Sequence, residues 1–218
     1  MDFKNHLITD FVDRHYFPAD EHLIPLRKQG ETGNIPIILK ETEMTLKMLL
    51  SLKKPKRILE VGTAIGYSTA FFAYACPDAE VITIEKKEAM YDRAAENLEN
   101  LGLSARVRLL KGDGQETIDQ LRERGTGDVD FVFIDAAKSH YLRFLESALT
   151  VTSPGAVIVS DNILQHGMTL SDEYDPHRKH KTSIRRMREY LDFICTHHEL
   201  ETYILSVGDG LAVSIQRK

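Results

Sequence analysis

The sequence predicts an α/β protein built on a doubly wound, mostly parallel, seven-stranded sheet with an antiparallel C-terminal hairpin. Three observations carry this. From about residue 40 onward, short apolar runs alternate with helix-length amphipathic segments. The early strand segments are apolar throughout, as expected when helices cover both faces of a parallel sheet. The last two strand segments are separated only by Gly208-Asp209, too short for a parallel crossover, so they pair antiparallel.

The elements follow in order. Residues 1–34 are polar and interrupted by Pro18, Pro25, Gly30 and Gly33. They read as an N-terminal extension of one or two short helices and a loop, within a single domain over 1–218. Helix Glu41–Leu52 leads into strand Arg57–Val61, followed by helix Tyr67–Cys76 and strand Glu80–Ile84. Helix Lys87–Leu101, strand Arg106–Leu110 and a helix around Gln115–Arg124 come next. Strand Val129–Ile134, helix Ser139–Leu149 and strand Ala156–Ser160 complete the alternating part. A polar loop, 163–181, expected to lie over the active site, precedes helix Thr182–His197 and strands Glu199–Val207 and Gly210–Gln216. Ligands of such sheets bind at the C-terminal strand ends, near the reversal of strand order.

Composition bounds the function. With 218 residues, 42% of them hydrophobic, the chain suits one full-sized core. A net charge of −5 argues against general polyanion binding, so nucleic-acid contact would need a local basic patch. The two cysteines, Cys76 and Cys195, form no CxxC pair, which fits a reducing cytoplasm rather than a disulfide framework. The N-terminus lacks a secretory pattern, and no apolar run approaches the ~20 residues of a membrane span.

The first strand ends in ILEVGTAIGYST, residues 58–69. Gly62 and Gly66 bracket a tight strand-to-helix turn that lets a ligand approach the backbone. Glu85 closes the second strand at roughly the ~20-residue spacing that places a carboxylate on ribose hydroxyls. Asp113 and Gly114, after the third strand, offer an acceptor for an exocyclic amine such as that of adenine, or simply a helix cap. A dinucleotide is the first rival, but GxxxG is not GxGxxG. Glu60, just before the first glycine, would also repel a pyrophosphate, whereas it suits ammonium and sulfonium charges. The bland reading of Glu60 is a carboxylate satisfied by backbone N–H groups, shaping the loop.

The fourth strand ends in FIDAAKSHY (133–141) and the fifth in VSDNI (159–163). Asp135, Asp161 and Asn162 thus gather at neighbouring strand ends. Two carboxylates and an amide oxygen form a hard set that suits Mg²⁺. Lys138, beside that cation, is expected to have a lowered pKa and to act as a general base. Further on, Arg178, Lys179, Lys181, Arg185, Arg186 and Arg188 fall in a stretch from His177 to Arg188 without an acid. That stretch either steers a phosphate backbone or is a solvated face offset by Asp172, Glu173 and Asp175.

With these residues in place, the chain resembles the cation-dependent class I S-adenosylmethionine O-methyltransferases, the group of catechol and caffeoyl-CoA O-methyltransferases. LEVGTAIGYST, the DxxK of Asp135–Lys138 and the pair Asp161-Asn162 carry the resemblance, which runs from about Gly33 to the C-terminus. Chain length, NIPII and DGLAVSI are most similar to the bacterial tRNA 5-hydroxyuridine methyltransferases. The resemblance implies a Rossmann-like methyltransferase fold and a homodimer. It implies donor contacts at Ile38, Ser68, Glu85, Asp113, Gly114 and Asp135, metal at Asp135, Asp161 and Asn162, and a base at Lys138. The implied reaction methylates the 5-hydroxyl of a wobble-position 5-hydroxyuridine in tRNA. Methylation of small catechol-like phenols is the alternative, although the late glutamate that holds the second hydroxyl in catechol enzymes has no clear match; Asp209 is the nearest acid. A nucleotide-binding dehydrogenase and a passive nucleoside-binding module are the readings from other classes.

Overall fold

The computed structural model describes residues 6–217; Met1–Asn5, the start of the predicted extension, and Lys218 lie outside the described residues. Helices α1 (His6–Arg14), α2 (Leu23–Thr32) and α3 (Lys40–Lys53) precede the alternating core. That core runs β1 (Arg57–Val61), α4 (Tyr67–Ala75), β2 (Glu80–Glu85), α5 (Glu88–Asn100), β3 (Val107–Lys111), α6 (Gly114–Glu123) and β4 (Val129–Ile134). It continues with α7 (Tyr141–Leu149), β5 (Thr152–Asp161), α8 (Lys181–Thr196), β6 (Leu200–Leu205) and β7 (Leu211–Gln216). The strands form one seven-stranded sheet in the order β3-β2-β1-β4-β5-β7-β6, parallel through β5, with β7 antiparallel to both neighbours. No helix among the described residues is long and apolar enough to cross a membrane.

Period-two alternation divides the strand residues between two cores. Ile58, Val81, Phe131 and Phe133 pack with Leu46, Phe71 and Phe72 on one face. Leu59, Ile82, Val132 and Ile134 pack with Ile118, Leu145, Met187 and Tyr190 on the other. Helices cover both faces, which is why the central positions of these strands are mostly apolar.

Register gathers the site. Val61 lies beside Ile84 and Ile134, and Ile134 beside Ser160. One residue further on, Glu85, Gly62, Asp135 and Asp161 therefore form a row across the C-terminal strand ends. Gly62 has φ +108°, and a Cβ there would lie 2.0 Å from the Asp135 carbonyl oxygen. The chain passes that close only because no side chain is present.

Several boundaries differ from the sequence reading. The helix expected from Ser139 opens as a 3₁₀ turn, Lys138–His140, before α7 begins. Strand β5 starts four residues early, at Thr152, and absorbs Pro154 and Gly155 where its register with β4 shifts. The hairpin is not closed by Gly208-Asp209 alone, since residues 206–210 lie outside both strands. That loop is closed by Gly210 N donating to Val207 O (2.8 Å) and also tied outward: Gly208 N donates to Glu41 Oε2 (2.9 Å) and Leu164 N to Asp209 O (3.0 Å).

Gly62→Ala is expected to destabilise the fold by more than about 3 kcal/mol, combining backbone strain with a clash against main chain. Urea denaturation of the purified variant measures this, and an unchanged midpoint would contradict the close approach.

Candidate active site

A cavity of about 690 Å³ opens at the C-terminal strand ends, within the range of small-molecule sites. The β1–α4 turn, the ends of β2, β3 and β4, Asn162 and the segment 34–38 form its wall. Ile38, Gly62, Ser68, Glu85, Asp113, Gly114, Asp135, Lys138 and Asn162 all line it. Glu60 and Asp161, both fully buried, do not.

Glu60 lies beneath the turn, not in the cavity. Ser68, Thr69 and Thr83 all donate their hydroxyls to its carboxyl oxygens. The expected direct donor contact is thereby corrected: Glu60 shapes the turn, through side-chain hydroxyls rather than backbone N–H groups. Burial pushes its carboxyl up to about 7 against these hydrogen bonds. Glu85, in contrast, faces the cavity and clasps two loops, accepting from Ala64 N (2.9 Å) and Lys87 N (2.7 Å).

Asp113 is more heavily engaged than the sequence indicated. It caps α6 by accepting from Gln115 N at 3.2 Å. Arg143 grips both carboxylate oxygens, at 2.9 and 2.8 Å, and Lys86 adds a contact at 3.1 Å. Burial opposes ionisation, but Arg143 and Lys86 outweigh it and hold Asp113 down at about 2. Arg143 itself lines the cavity. No motif flagged it; the one available cue was its place on a helix after the DxxK segment. A Cβ on Gly114 would strike Val61 (2.7 Å) and Phe144 (2.8 Å), so this glycine is required by packing.

The oxygens at the β4 and β5 ends converge on a cation. Lys138 Nζ donates to Asp135 Oδ1 (2.9 Å), Asn162 Oδ1 (2.9 Å) and Tyr141 Oη (2.8 Å). Burial disfavours the ammonium, yet Tyr141 and Asp135 outweigh it and raise the Lys138 pKa above that of a free lysine. The expected lowering supposed a cation beside the amine; among the protein groups alone, acceptors surround it. Asp161 Oδ1 accepts from Asn162 N (2.7 Å), while its buried Oδ2 has no hydrogen-bond partner. Burial and then the Asp135 carboxylate raise the Asp161 pKa. An orphaned buried carboxylate oxygen, beside two oxygens already holding a positive charge, fits a divalent cation. No cluster of three or more His, Cys, Asp or Glu among the described residues is placed for a metal; this set is two carboxylates and an amide. Tyr141 is fully buried and donates to Asp161 O, so it cannot stack on an acceptor. His140 does line the cavity.

The polar segment after Asn162 does not cover the cavity, since none of residues 163–181 lines it. Ile163 and Leu164 are buried, and the segment packs beside α8. Arg188 ties it down, donating to Thr169 O (2.9 Å) and Asp172 (2.8 Å). Arg185 and Arg186 share Glu189 on an exposed helix face. Arg178, Lys181 and Arg185 line a shallower surface pocket with Asp172 and Asp175, and Lys179 contributes its backbone N–H to Asp175. The basic stretch is therefore partly offset by acids, as the bland reading anticipated, and Arg188 is a structural tie.

Against this geometry, comparison with known proteins is decisive. The O-methyltransferase family model matches residues 20–217. The chain belongs to the O-methyltransferase family. It is 37% identical over 170 residues to a catechol O-methyltransferase of Niastella koreensis, covering 77% of this chain and 76% of that one. It is 29% identical to caffeoyl-CoA O-methyltransferase 2 of Petunia hybrida, over 77% and 71% of the two chains. A solved O-methyltransferase of Bacillus cereus, in complex with SAH, superposes with a TM-score of 0.84 at 25% identity, over 97% of both chains. The enzyme class expected from the sequence, an S-adenosylmethionine-dependent O-methyltransferase, is the class of this family, and the dehydrogenase reading falls away.

Glu60 supplies a pH test. A folded-state pKa of about 7, against 4.5 for an ordinary glutamate, means the native state binds the extra proton between those values. Stability therefore falls as pH rises through that window. Wild type should lose more melting temperature than Glu60→Gln between pH 5 and pH 8, and parallel profiles would refute the assignment.

Proposed function

We propose that this O-methyltransferase binds S-adenosylmethionine in the strand-end cavity and a divalent cation, Mg²⁺ in the simplest case, at Asp135, Asp161 and Asn162. The acceptor in this reading is the 5-hydroxyl of 5-hydroxyuridine at the wobble position of tRNA, and the product is 5-methoxyuridine. The observation that carries the reading is the meeting of Asp135, Asn162 and the unpartnered Asp161 Oδ2 beside the cavity.

When bound, the donor supplies an electrophilic methyl group and the cation a charge that favours the ionised hydroxyl. The protein's own work is positioning and proton handling. Glu85 and Asp113, held by Ala64, Lys87 and Arg143, fix the nucleoside end of the donor. Asp135 and Asn162 are the same oxygens that now accept from Lys138. With a cation held there, Lys138 would favour its neutral amine, the form that can take the acceptor's proton.

Two observations bear on the acceptor. Arg186 of α8 adds, after burial, Arg143 and Lys86, to the lowering of the pKa of His140, which lines the cavity. Asp209, the nearest counterpart of the catechol enzymes' late glutamate, is buried, accepts from His166 N (2.8 Å) and does not line the cavity. The placement of Asp209 speaks against a catechol, and the charge near His140 is compatible with an RNA base. Small phenols form the second reading, supported by the relationship to the Niastella enzyme. The two acceptor classes share a planar ring with adjacent oxygens. The homodimer belongs to the same proposal.

Cells lacking the protein should lose 5-methoxyuridine from their tRNA, read by nucleoside mass spectrometry; unchanged nucleosides would reject the tRNA acceptor. Charge reversal at Arg185 and Arg186 should weaken methylation of tRNA, with a reduced salt dependence, while sparing a free phenol. Asp161→Ala should lower kcat at least about 100-fold on either acceptor, and full activity in EDTA-treated metal-free enzyme would overturn the cation's role.

A further inference from the structure

The segment 34–38 forms one wall of the cavity, and it is fastened from behind by a charge network that the reaction does not use. Arg27, on α2, is 8% exposed. Its Nη2 donates to Ile38 O (3.2 Å) and to Glu43 Oε2 (2.6 Å), and its Nε donates to Tyr67 Oη (2.9 Å). Tyr67 opens α4, directly after the Gly62–Gly66 turn, and also lines the cavity. Its hydroxyl donates to Glu43 Oε2 (2.6 Å), and Tyr16 Oη donates to Glu43 Oε1 (2.9 Å). The guanidinium lies 4.5 Å from the Tyr67 ring centroid and 5.3 Å from that of Tyr16.

We infer that Arg27 is a positioning residue for the methyl donor: one guanidinium joins the 34–38 wall to Tyr67, the first residue of α4 after the Gly62–Gly66 turn, which also lines the cavity. This rests on the reading that the donor occupies that cavity. A second feature, independent of charge, presses the same segment onto α2. Ile35 N donates to Gly30 O (2.9 Å), and a Cβ on Gly30 would meet Ile37 at 3.0 Å. A helix that needed only to cover the core would have no reason to bury a charge. Through Nε and Nη2, Arg27 makes hydrogen bonds to three elements, two of them cavity walls, and a planar fork does this where a lysine cannot. With the fork removed, the wall spends less of its time in the binding geometry, and apparent donor affinity falls by that fraction.

The test compares wild type, Arg27→Lys, Arg27→Met and the double variant Arg27→Met/Glu43→Gln. The double variant avoids a buried carboxylate without its cation and carries the comparison if the single variant does not fold. Calorimetry gives the Kd for S-adenosylhomocysteine, steady-state kinetics gives KM for the donor and kcat, and hydrogen exchange follows residues 34–38. The expected result is a Kd and donor KM raised about tenfold in the methionine variants, with kcat at saturating donor within about twofold. The segment 34–38 should exchange faster, and Arg27→Lys should fall between wild type and Arg27→Met. A Kd within twofold of wild type in a folded methionine variant would overturn the inference even if the melting temperature dropped. Failure of wild type to bind S-adenosylhomocysteine would instead overturn the donor reading itself.

Discussion

The site depends on one electrostatic arrangement: oxygens from two adjacent parallel strands share a positive charge at the edge of a deep cavity. Parallel pairing in register sets Gly62, Asp135 and Asp161 in one row, and the missing side chain at Gly62 lets β1 and β4 leave the sheet in contact. Asp135 and Asn162 then hold the Lys138 ammonium, while Asp161 keeps a buried oxygen unpaired. An unpaired buried carboxylate oxygen costs stability. In the proposed function, that cost is offset when a cation binds.

Around this centre the remaining polar groups serve the walls. Glu60 ties the first turn to β2 through three hydroxyls, Glu85 clasps two loops, and Arg143 locks Asp113 at the far end. Glu85 fixes loop backbone directly, while Glu60 and Arg143 act through side chains on neighbouring elements. The N-terminal helices take part in the same way, because Arg27 reaches across to Glu43 and Tyr67. The cavity is thus enclosed by two systems, one at the strand ends and one from the N-terminal segment.

Much of this was legible in the sequence where the signal is local. Continuous apolar strands, Gly62 and Gly66, the DxxK spacing and Asp161-Asn162 each report a constraint acting within a few residues, and the sheet follows from them. Glu60 was legible in type but not in direction, although period two already put it on the Ile58 face, under α4, and not at the strand tip. Arg143 on Asp113, and Arg27 on Glu43 and Tyr67, join residues 16 to 40 positions apart, and nothing in local spacing encodes such partners. The segment 163–181 reads as a loop because it is polar, but buried Ile163 and Leu164 and the Arg188 tie hold it beside α8 and away from the cavity mouth. The Lys138 expectation counted a cation, whereas the neighbours the protein itself supplies are acceptors, which raise its pKa.

The most direct test of the central claim is to locate the cation. Crystals of the enzyme grown with S-adenosylhomocysteine and Mn²⁺ should give an anomalous peak within about 2.4 Å of oxygens from Asp135, Asp161 and Asn162, with Lys138 Nζ drawn away from Asp135 and Asn162. A fully occupied nucleoside pocket with no peak at those three residues, and with the ammonium still between them, would contradict the account.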